Sequence, residues 1–285
     1  LTSLWLYGHK LLIPVPDVDN TEYLLMLGAN PLASNGSIWT VPDVKKRLKA
    51  LTARGGKLVV IDPRKTETAA IASEHQFIRP GTDALFLLAL LNTLFSENLA
   101  HPGALSEFTS GLEEVASAIA QFTPEFAAAH TGIDAEVIRR IAREFAAAER
   151  AVCYGRMGVS TQRYGALCQW VIQLINIATG NLDKPGGSLF ASTAVDTVKT
   201  SSPGGHGRHH SRVRGLPEFD RELPAACLAE EISTPGEGQI RALFTGAGNP
   251  VLSTPNGRQL DSAMETLDFM VSLDPYINET TRHAD

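Results

Sequence analysis

The sequence has few cysteines, no long apolar stretch and no excess of basic residues. Its three cysteines, Cys153, Cys168 and Cys227, are far apart and odd in number, which suits neither a disulfide framework nor a C-x-x-C metal site. No apolar run reaches the ~18 residues that a membrane-spanning helix needs. The net charge of −6 gives no general attraction to nucleic acid or to membrane surfaces. We therefore predict a globular chain without a membrane span or a nucleic-acid partner. The missing disulfide pattern favours the cytoplasm, with the periplasm as the alternative.

What the sequence does contain is one pattern that occurs twice. An apolar run at 23–27 leads into Gly28-Ala29-Asn30-Pro31 and Ser34, and one at 240–245 leads into Gly246-Ala247-Gly248-Asn249-Pro250 and Ser253. A helix-length stretch and a second apolar run follow, ending in Asp62-Pro63 in the first copy and in Asp274-Pro275 in the second. Downstream of these stand Thr66-Glu67-Thr68 and Glu279-Thr280-Thr281. The duplication indicates two related units that hold two similar halves of a ligand.

Each unit has the residue types of a nucleotide site. Ligands of open α/β sheets bind at the carboxyl ends of the strands, glycine allows close backbone approach, and asparagine tolerates left-handed backbone. Asp62 or Asp274 is placed like the carboxylate that binds ribose in dinucleotide folds. The alternative is that both turns are only tight connections; the duplication favours binding. Neither strand is followed by G-x-G-x-x-G, so an ordinary nicotinamide site is disfavoured.

Between the two units the sequence predicts further elements of an α/β fold. We expect helices at 41–54, with Pro42 in the first turn, at 84–94 and at 165–179, two Ala-rich helices within 111–150, and a strand at 151–154. A short strand at 77–79 is expected to enter the turn Gly81-Thr82-Asp83. Asp83 either caps the next helix or meets a ligand, since a carboxylate matches the two parallel N–H donors of a guanine edge.

The stretch 191–239 differs in composition, with much Ser, Thr, Gly, Pro and His. We place the domain boundary near Phe190, which gives a first α/β domain at 1–190 and, at 191–285, a linker loop with part of a second. His206, His209 and His210 suggest a metal site, but no acidic or Cys ligand stands at ligand spacing, so a solvated basic loop is favoured. Because the chain starts without Met, we expect a piece of a longer protein.

A series of short motifs, in one order, resembles a known family over nearly the whole chain. The motifs are Gly28-Ala29-Asn30-Pro31, Ile61-Asp62-Pro63-Arg64 with Thr66, Arg79-Pro80-Gly81-Thr82-Asp83, Gly158 to Gly165, Gly180-Asn181 with Pro185-Gly186-Gly187, Gly248-Asn249-Pro250, and Asp274 with Glu279-Thr280. The series resembles the molybdopterin oxidoreductases of the DMSO reductase family, which includes periplasmic nitrate reductases and formate dehydrogenases.

The resemblance implies two Rossmann-like units with mostly parallel sheets flanked by helices, and a molybdenum bis(molybdopterin guanine dinucleotide) cofactor. One dinucleotide would contact Gly28, Ala29, Asn30, Pro31, Ser34, Asp62, Pro63, Arg64, Thr66, Gly81, Thr82 and Asp83. Met157, Gly158 and Thr161 or Gln162 would approach a pterin, and Gly248, Asn249, Pro250 and Asp274 would belong to the other half. In one subgroup a glutamine stands three residues after the glycine that matches Gly158, whereas here that position is Thr161 and Gln162 comes next.

The resemblance also implies parts that these 285 residues do not supply. Family members commonly carry an upstream cysteine cluster for a [4Fe–4S] centre and an upstream protein ligand to molybdenum. We therefore expect no catalytic or metal-ligating residue in this chain, a small-molecule substrate, and a redox partner protein or subunit. Two alternatives remain: a cofactor-free structural subunit of the same fold, as in respiratory complex I, and a nucleotide-binding regulatory module, against which the missing G-x-G-x-x-G counts.

Overall fold

A computed structural model describes all 285 residues, and the chain divides into two compact units. The first unit is Thr2–Ser201, and the second consists of Leu1 and Ser202–Asp285. The division falls inside the stretch of distinct composition that begins at residue 191.

A four-stranded parallel sheet forms the centre of the first unit. The strands of this unit are β1 (Val15–Pro16), β2 (Tyr23–Leu27), β3 (Lys57–Ile61), β4 (Glu74–Gln76), β5 (Ala151–Gly155) and β6 (Ser188–Leu189). The sheet order is β4-β3-β2-β5, while β1 and β6 form a separate antiparallel pair. Strands β2 and β5 are buried throughout, as is β3 after its first residue, which is typical of a parallel sheet covered on both faces. The predicted bounds of β2 and β3 are confirmed.

Helices cover both faces of this sheet. They are α1 (Thr2–Tyr7), α2 (Pro31–Ser34), α3 (Val44–Ala53), α4 (Glu67–Ala70), α5 (Asp83–Ser96), α6 (Leu112–Ala118), α7 (Pro124–Thr131), α8 (Ala135–Ala147), α9 (Met157–Ser160), α10 (Gly165–Ala178) and α11 (Thr197–Thr200), with 3₁₀ turns at Ser37–Trp39 and Gly103–Glu107. Alternate strand residues point to opposite faces. Leu25 and Val59 therefore join the core beneath α5, α8 and α10, whereas Leu24 and Val60 join the core beneath α3.

The carboxyl and amino edges of the sheet differ in how their polar groups are satisfied. At the amino edge, Glu74 accepts hydrogen bonds from Arg140 at 2.5 Å and pairs with Lys57 at 2.9 Å. Glu144 on α8 joins the same network through Lys57, at 2.7 Å. Burial alone would raise the pKa of Glu74, but the bonds from Arg140 and Lys57 outweigh it and lower that pKa to about 2. Together with the hydrogen bond from the Tyr23 hydroxyl to Glu144 at 3.0 Å, this network ties the beginnings of β2, β3 and β4 to α8.

Four sequence predictions for the first unit are corrected by the structure. The helix predicted at 41–54 begins only at Val44, because Asp43 is left-handed (φ 49°) and Pro42 stands outside. The short strand predicted at 77–79 lies at Glu74–Gln76, a polar segment that apolar periodicity does not reveal. The segment 111–150 forms three helices, not two, because Thr123 caps a separate α7. The helix predicted from Ala84 begins at Asp83, with Thr82 in the capping position.

The second unit contains a hairpin and a two-stranded parallel sheet. Its elements are β7 (His206–His210), β8 (Pro217–Phe219), a 3₁₀ turn at Ala225–Cys227, α12 (Leu228–Ser233), β9 (Ala242–Gly246), α13 (Pro250–Ser253), α14 (Gly257–Met264), β10 (Phe269–Leu273) and a 3₁₀ turn at Thr281–His283. The basic loop predicted around the histidines is thus a strand of a hairpin, held where Glu218, on β8, accepts a hydrogen bond from Arg208 at 2.8 Å.

The core of the second unit is small and one-sided. Ile232, Leu260, Met264 and Met270 pack together beneath the β9–β10 pair. On the strands themselves, Phe244 is 64% exposed and Leu273 is 62% exposed. Two strands leave part of their apolar surface uncovered, which a four-stranded sheet with helices on both faces does not. Across the whole chain, no helix combines the length and the apolar character needed to cross a membrane.

Candidate functional site

The order of the four parallel strands places a crevice between β2 and β5. From β2 the strands are added in chain order to one side, as β3 and then β4, and the next strand, β5, pairs with the other side of β2. The order of strand addition therefore reverses at β2, and in open α/β sheets ligands bind at the carboxyl ends of the strands at such a point. The residues that follow these two strands are Gly28 and Arg156.

Two glycines bring the backbones after β2 and β5 into direct contact. Gly28 is left-handed (φ 53°), and its carbonyl accepts a hydrogen bond from the Gly158 N–H at 2.8 Å. A Cβ on Gly28 would stand 2.7 Å from the Val159 nitrogen, and a Cβ on Gly158 would stand 2.7 Å from the Gly28 Cα. Neither position has room for a side chain, so backbone alone lines this part of the crevice.

The first asparagine–proline turn is held by three side chains, which we call the first corner: Asn30, Glu67 and Thr68. The Asn30 Nδ2 donates to Glu67 Oε2 at 2.7 Å, and the Asn30 Oδ1 accepts from the Thr68 hydroxyl at 2.8 Å. The Thr68 hydroxyl in turn accepts from the Leu32 N–H at 3.3 Å. Thr68 is fully buried. The first turn of α2 is thereby tied to the first turn of α4.

The second turn has the same construction, in a second corner formed by Asn249, Glu279 and Thr280. The Asn249 Nδ2 donates to Glu279 Oε2 at 2.7 Å, and the Asn249 Oδ1 accepts from the Thr280 hydroxyl at 2.7 Å. The Thr280 hydroxyl accepts from the Val251 N–H at 3.1 Å. The two asparagines also share their backbone conformation, with φ and ψ of −127° and 72° at Asn30 and −120° and 73° at Asn249.

The structure gives the register of the repeat. Gly28 and Ala247 each stand two residues before their asparagine, and both are left-handed, with φ of 53° and 51°. The Gly28 N–H donates to the Ile61 carbonyl at 3.1 Å, and the Ala247 N–H donates to the Leu273 carbonyl at 2.8 Å. The residue that matches Gly28 is therefore Ala247 and not a glycine, although Gly246 and Gly248 flank it.

The two strand-ending aspartates also adopt one local geometry. Asp62 Oδ1 accepts from the Arg64 N–H at 2.8 Å, and Asp274 Oδ1 accepts from the Tyr276 N–H at 2.9 Å. Each carboxylate so closes a turn onto the backbone two residues later. Asp62 is 9% exposed, whereas Asp274 is partly exposed. The other carboxylate oxygen of each aspartate accepts no hydrogen bond from the protein.

Asp83 lies close to Asp62 at the same edge of the first sheet and is 3% exposed. Its Oδ2 accepts a hydrogen bond from Gln162 Nε2 at 2.6 Å, and that same nitrogen lies 2.6 Å from the Gly158 carbonyl. Burial raises the pKa of the Asp83 carboxyl, the Gln162 bond opposes that rise, and the charge of Asp62 adds to it. Of the two alternatives given for Asp83, the structure does not show the helix cap: α5 has no side-chain cap, and the carboxylate accepts from Gln162 instead.

Two buried polar atoms near the crevice have no partner in the protein. The hydroxyl of Tyr154, a residue 8% exposed, is one, and the Arg156 Nε is the other. The Tyr154 ring rests against Trp39 with the ring centroids 5.4 Å apart, and Arg156 donates through Nη2 to the Ser37 hydroxyl at 2.8 Å. Buried polar groups in proteins are nearly always satisfied, so unpartnered atoms at a sheet's ligand edge point to a ligand.

The other predicted contact residues have local roles. The Thr66 hydroxyl accepts from the Ala69 N–H at 3.1 Å and caps α4, the Thr82 hydroxyl donates to the Arg79 carbonyl at 2.7 Å, and the Thr161 hydroxyl donates to the Met157 carbonyl at 2.8 Å. Of the other positions in the set, Ser34, Pro63, Arg64, Gly81 and Met157 are exposed, Gly248 and Pro250 are partly exposed, and Ala29 and Pro31 are buried. Thr66 is also deeply buried.

The sequence-based site set omitted residues that the structure makes central. Glu67, Thr68, Glu279 and Thr280 fix both corners, and the matching Glu-Thr pairs in the sequence were the signal that could have found them. Tyr154 and Arg156 had no such signal, because nothing in the sequence shows that a strand-ending tyrosine is buried without a hydrogen-bond partner.

Fold and site together describe an α/β protein in which the same corner occurs at the carboxyl edge of each of two parallel sheets. Comparisons with known proteins identify the class. A family model described as "Molybdopterin oxidoreductase" matches residues 3–285, and the chain belongs to this family.

Relatives of this chain include well-characterised enzymes. The chain is 26% identical to the F420-dependent formate dehydrogenase subunit alpha of Methanocaldococcus jannaschii over 95% of its length, and 24% identical to the assimilatory nitrate reductase catalytic subunit of Bacillus subtilis over 95%. It spans only 41% and 40% of those two proteins. The acetylene hydratase of Pelobacter acetylenicus shares its fold, with a TM-score of 0.78 at 19% identity over 99% of this chain and 42% of that one.

Proposed function

We propose that this chain is the central cofactor-binding part of a molybdenum-dependent oxidoreductase that carries bis(molybdopterin guanine dinucleotide). The duplicated corner carries the proposal, because a cofactor with two similar dinucleotide halves calls for two similar sites. When bound, the cofactor supplies the two-electron redox chemistry. The residues of this chain bind and orient it.

In the first unit, the contacts divide by chemistry. The Gly28–Gly158 contact packs two backbones against each other without side chains, and so fixes the position of the turn that would meet a phosphate or pterin. The open oxygen of Asp62 suits a ribose hydroxyl. Asp83 suits a guanine edge, because its buried carboxylate has no cationic partner and accepts N–H donors. In the second unit, Asp274 takes the place of Asp62.

The asparagines have a different role from direct ligand contact. Asn30 and Asn249 each use their Oδ1 and at least one Nδ2 hydrogen inside their own corner. We infer that they fix the backbone of the turns, so that Ala29 and Gly248 meet the ligand in a defined position. The orphaned Tyr154 hydroxyl and Arg156 Nε are donors that a bound pterin or phosphate would satisfy.

The chain's share in the reaction is to hold and orient. We assign it no catalytic residue and no ligand to molybdenum. We further propose that the molybdenum ligand, a [4Fe–4S] centre and the redox partner are supplied from outside these 285 residues, and that the 285-residue chain alone is inactive. The chain spans 41% of the formate dehydrogenase and 40% of the nitrate reductase. We propose that the whole enzyme acts on a small-molecule substrate.

Replacing Asp83 tests the guanine assignment. In the full reading frame, Asp83→Ala should lose dinucleotide retention by roughly 1.5–3 kcal/mol, the value of a hydrogen bond to a charged group. Molybdenum per protein, measured by elemental analysis after gel filtration, should fall. Asp134→Ala is a matched control, since Asp134 is exposed and caps α8 without a side-chain bond. Equal molybdenum contents in the two variants would contradict the assignment.

A further inference from the structure

Gln162 donates a hydrogen bond to Asp83, the carboxylate that the proposed function assigns to the guanine base. Its Nε2 lies 2.6 Å from Asp83 Oδ2 and 2.6 Å from the Gly158 carbonyl, so one amide group bridges the two. Asp83 is 3% exposed, while Gln162 is half-buried. A base that reaches this carboxylate from solvent must therefore move the Gln162 side chain.

The surroundings of Asp83 explain why its carboxylate needs a hydrogen-bond donor. No arginine or lysine pairs with this carboxylate; the nearby charge is that of Asp62, which has the same sign. A buried carboxylate without a donor is costly. Gln162 supplies one N–H to Oδ2, and no side chain donates to Oδ1. A guanine edge carries two parallel donors, N1–H and N2–H, and so satisfies both oxygens where the glutamine satisfies one.

The position of Gln162 in the chain allows its side chain to move away from Asp83. It stands in the short connection between α9, which ends at Ser160, and α10, which begins at Gly165. A glutamine side chain has freely rotating bonds, so its amide can swing outward while the backbone of both helices stays in place. The other end of the bridge, the Gly158 carbonyl, would be released by the same movement.

We propose that Gln162 is a displaceable gate: its amide donates to Asp83 at the position where the guanine base would bind, and the base displaces it. The inference rests on Asp83 being the guanine-binding residue of the proposed function. It makes Gln162 a competitor of the ligand and distinguishes it from a ligand contact. Removing the side chain should therefore strengthen guanine binding.

The test is GDP binding to the purified, cofactor-free 285-residue chain by isothermal titration calorimetry, with IDP and ADP as base controls. Gln162→Ala should bind GDP about tenfold more tightly than the wild type, because the base no longer displaces a hydrogen bond to a charged group. IDP, which lacks the 2-amino group, should gain less, and ADP should gain nothing. Gln121→Ala, the same change at an exposed glutamine, should behave as the wild type.

An Asp83→Asn variant separates failure of the gate from failure of the guanine site. If Asp83→Asn weakens GDP binding but Gln162→Ala leaves it unchanged or weaker, or if Gln162→Ala shows no preference for GDP over ADP, the gate is overturned. If Asp83→Asn binds GDP as the wild type does, with the same preference over ADP, the guanine assignment itself fails. Equal melting temperatures of the wild type and Gln162→Ala would show that the two affinities are measured on equally stable folded proteins.

Discussion

The two corners are nearly identical in their hydrogen bonds and differ in almost everything around them. Asn30, Glu67 and Thr68 sit at the edge of a four-stranded sheet with fully buried central strands, while Asn249, Glu279 and Thr280 sit at the edge of a two-stranded sheet whose strands are half-exposed. The corresponding left-handed residue is a glycine in one and an alanine in the other.

This difference shows that the corner depends on its own hydrogen bonds and not on the size of the sheet that supports it. The asparagine before proline sets the turn, and the Glu-Thr pair that follows the next strand holds it, whether two strands or four support it. What the larger sheet adds is the neighbour: only in the first unit does a further parallel strand, β5, bring a second backbone against the turn, through Gly158. The glycine requirement at residue 28 comes from that neighbour.

The largest expected effect comes from filling the Gly28 contact. Gly28→Ala puts a Cβ 2.7 Å from the Val159 nitrogen and 2.8 Å from Gly158, so the first unit should lose about 3 kcal/mol of stability. Urea unfolding followed by tryptophan fluorescence measures it, because Trp5, Trp39 and Trp170 all lie in the first unit. Gly132→Ala is the control: Gly132 is also left-handed (φ 78°) but has open space, so it should lose only about 1 kcal/mol.

Removing one charge from the partly buried network at the amino edge should rank second. The pKa of Glu74 is lowered from 4.5 to about 2 in the folded state, so its stabilisation is present above pH 5 and disappears as pH falls toward 2. Glu74→Gln should cost the first unit about 2 kcal/mol at pH 7 and almost nothing at pH 2. The exposed Arg241–Asp268 pair of the second unit offers the contrast: Asp268→Asn should leave stability almost unchanged, because solvent screens an exposed ion pair. Urea titrations at several pH values measure both; a pH-independent loss in Glu74→Gln would contradict this account.

Removing one hydroxyl from each corner tests whether they are equivalent. Thr68→Val and Thr280→Val keep the shape of a fully buried side chain but remove the hydroxyl's bond to the asparagine oxygen and leave the Leu32 or Val251 N–H without its partner. Each should cost about 1.5 kcal/mol in its own unit. Native-state hydrogen exchange of the Leu32 and Val251 amides reads the two corners separately. A loss of stability at only one corner would show that the two corners are not equivalent.

The smallest expected effect is a gain. Ala247 is left-handed (φ 51°), a conformation that costs a residue with a Cβ roughly 1 kcal/mol. Ala247→Gly should stabilise the second unit by about 0.5 kcal/mol, since the strain relieved exceeds the entropy that glycine loses. Exchange of the Val251 amide should slow accordingly. Destabilisation would mean that the Cβ of Ala247 contributes packing.

The parts of the fold that were predictable are those that local sequence determines. Strand 23–27 is an unbroken apolar run, and so is strand 57–61 after Lys57, as expected for strands buried on both faces. Pro42 misled the prediction of the first long helix, because Asp43 turns left-handed between the proline and Val44. Strand Glu74–Gln76 was not predicted because its own residues are polar and show no strand pattern. Its pairing with β3 and its ion pairs stabilise it.

The candidate site was predictable in outline and not in its contacts. The repeated Asn-Pro and Asp-Pro turns revealed that two sites exist, but not that the asparagine amides are engaged by Glu67 and Glu279. The Gln162–Asp83 bond joins residues 79 positions apart. Only the fold brings such residues together, so no spacing rule could have paired them.

The most direct test of the central claim is the nucleotide content of the purified full-length enzyme. Acid hydrolysis releases the nucleotide of a dinucleotide cofactor, and GMP is then quantified by chromatography against molybdenum from elemental analysis. Two related corners that each hold one half predict two GMP per molybdenum atom. One GMP per molybdenum, or none, would contradict the account that both corners bind guanine dinucleotides.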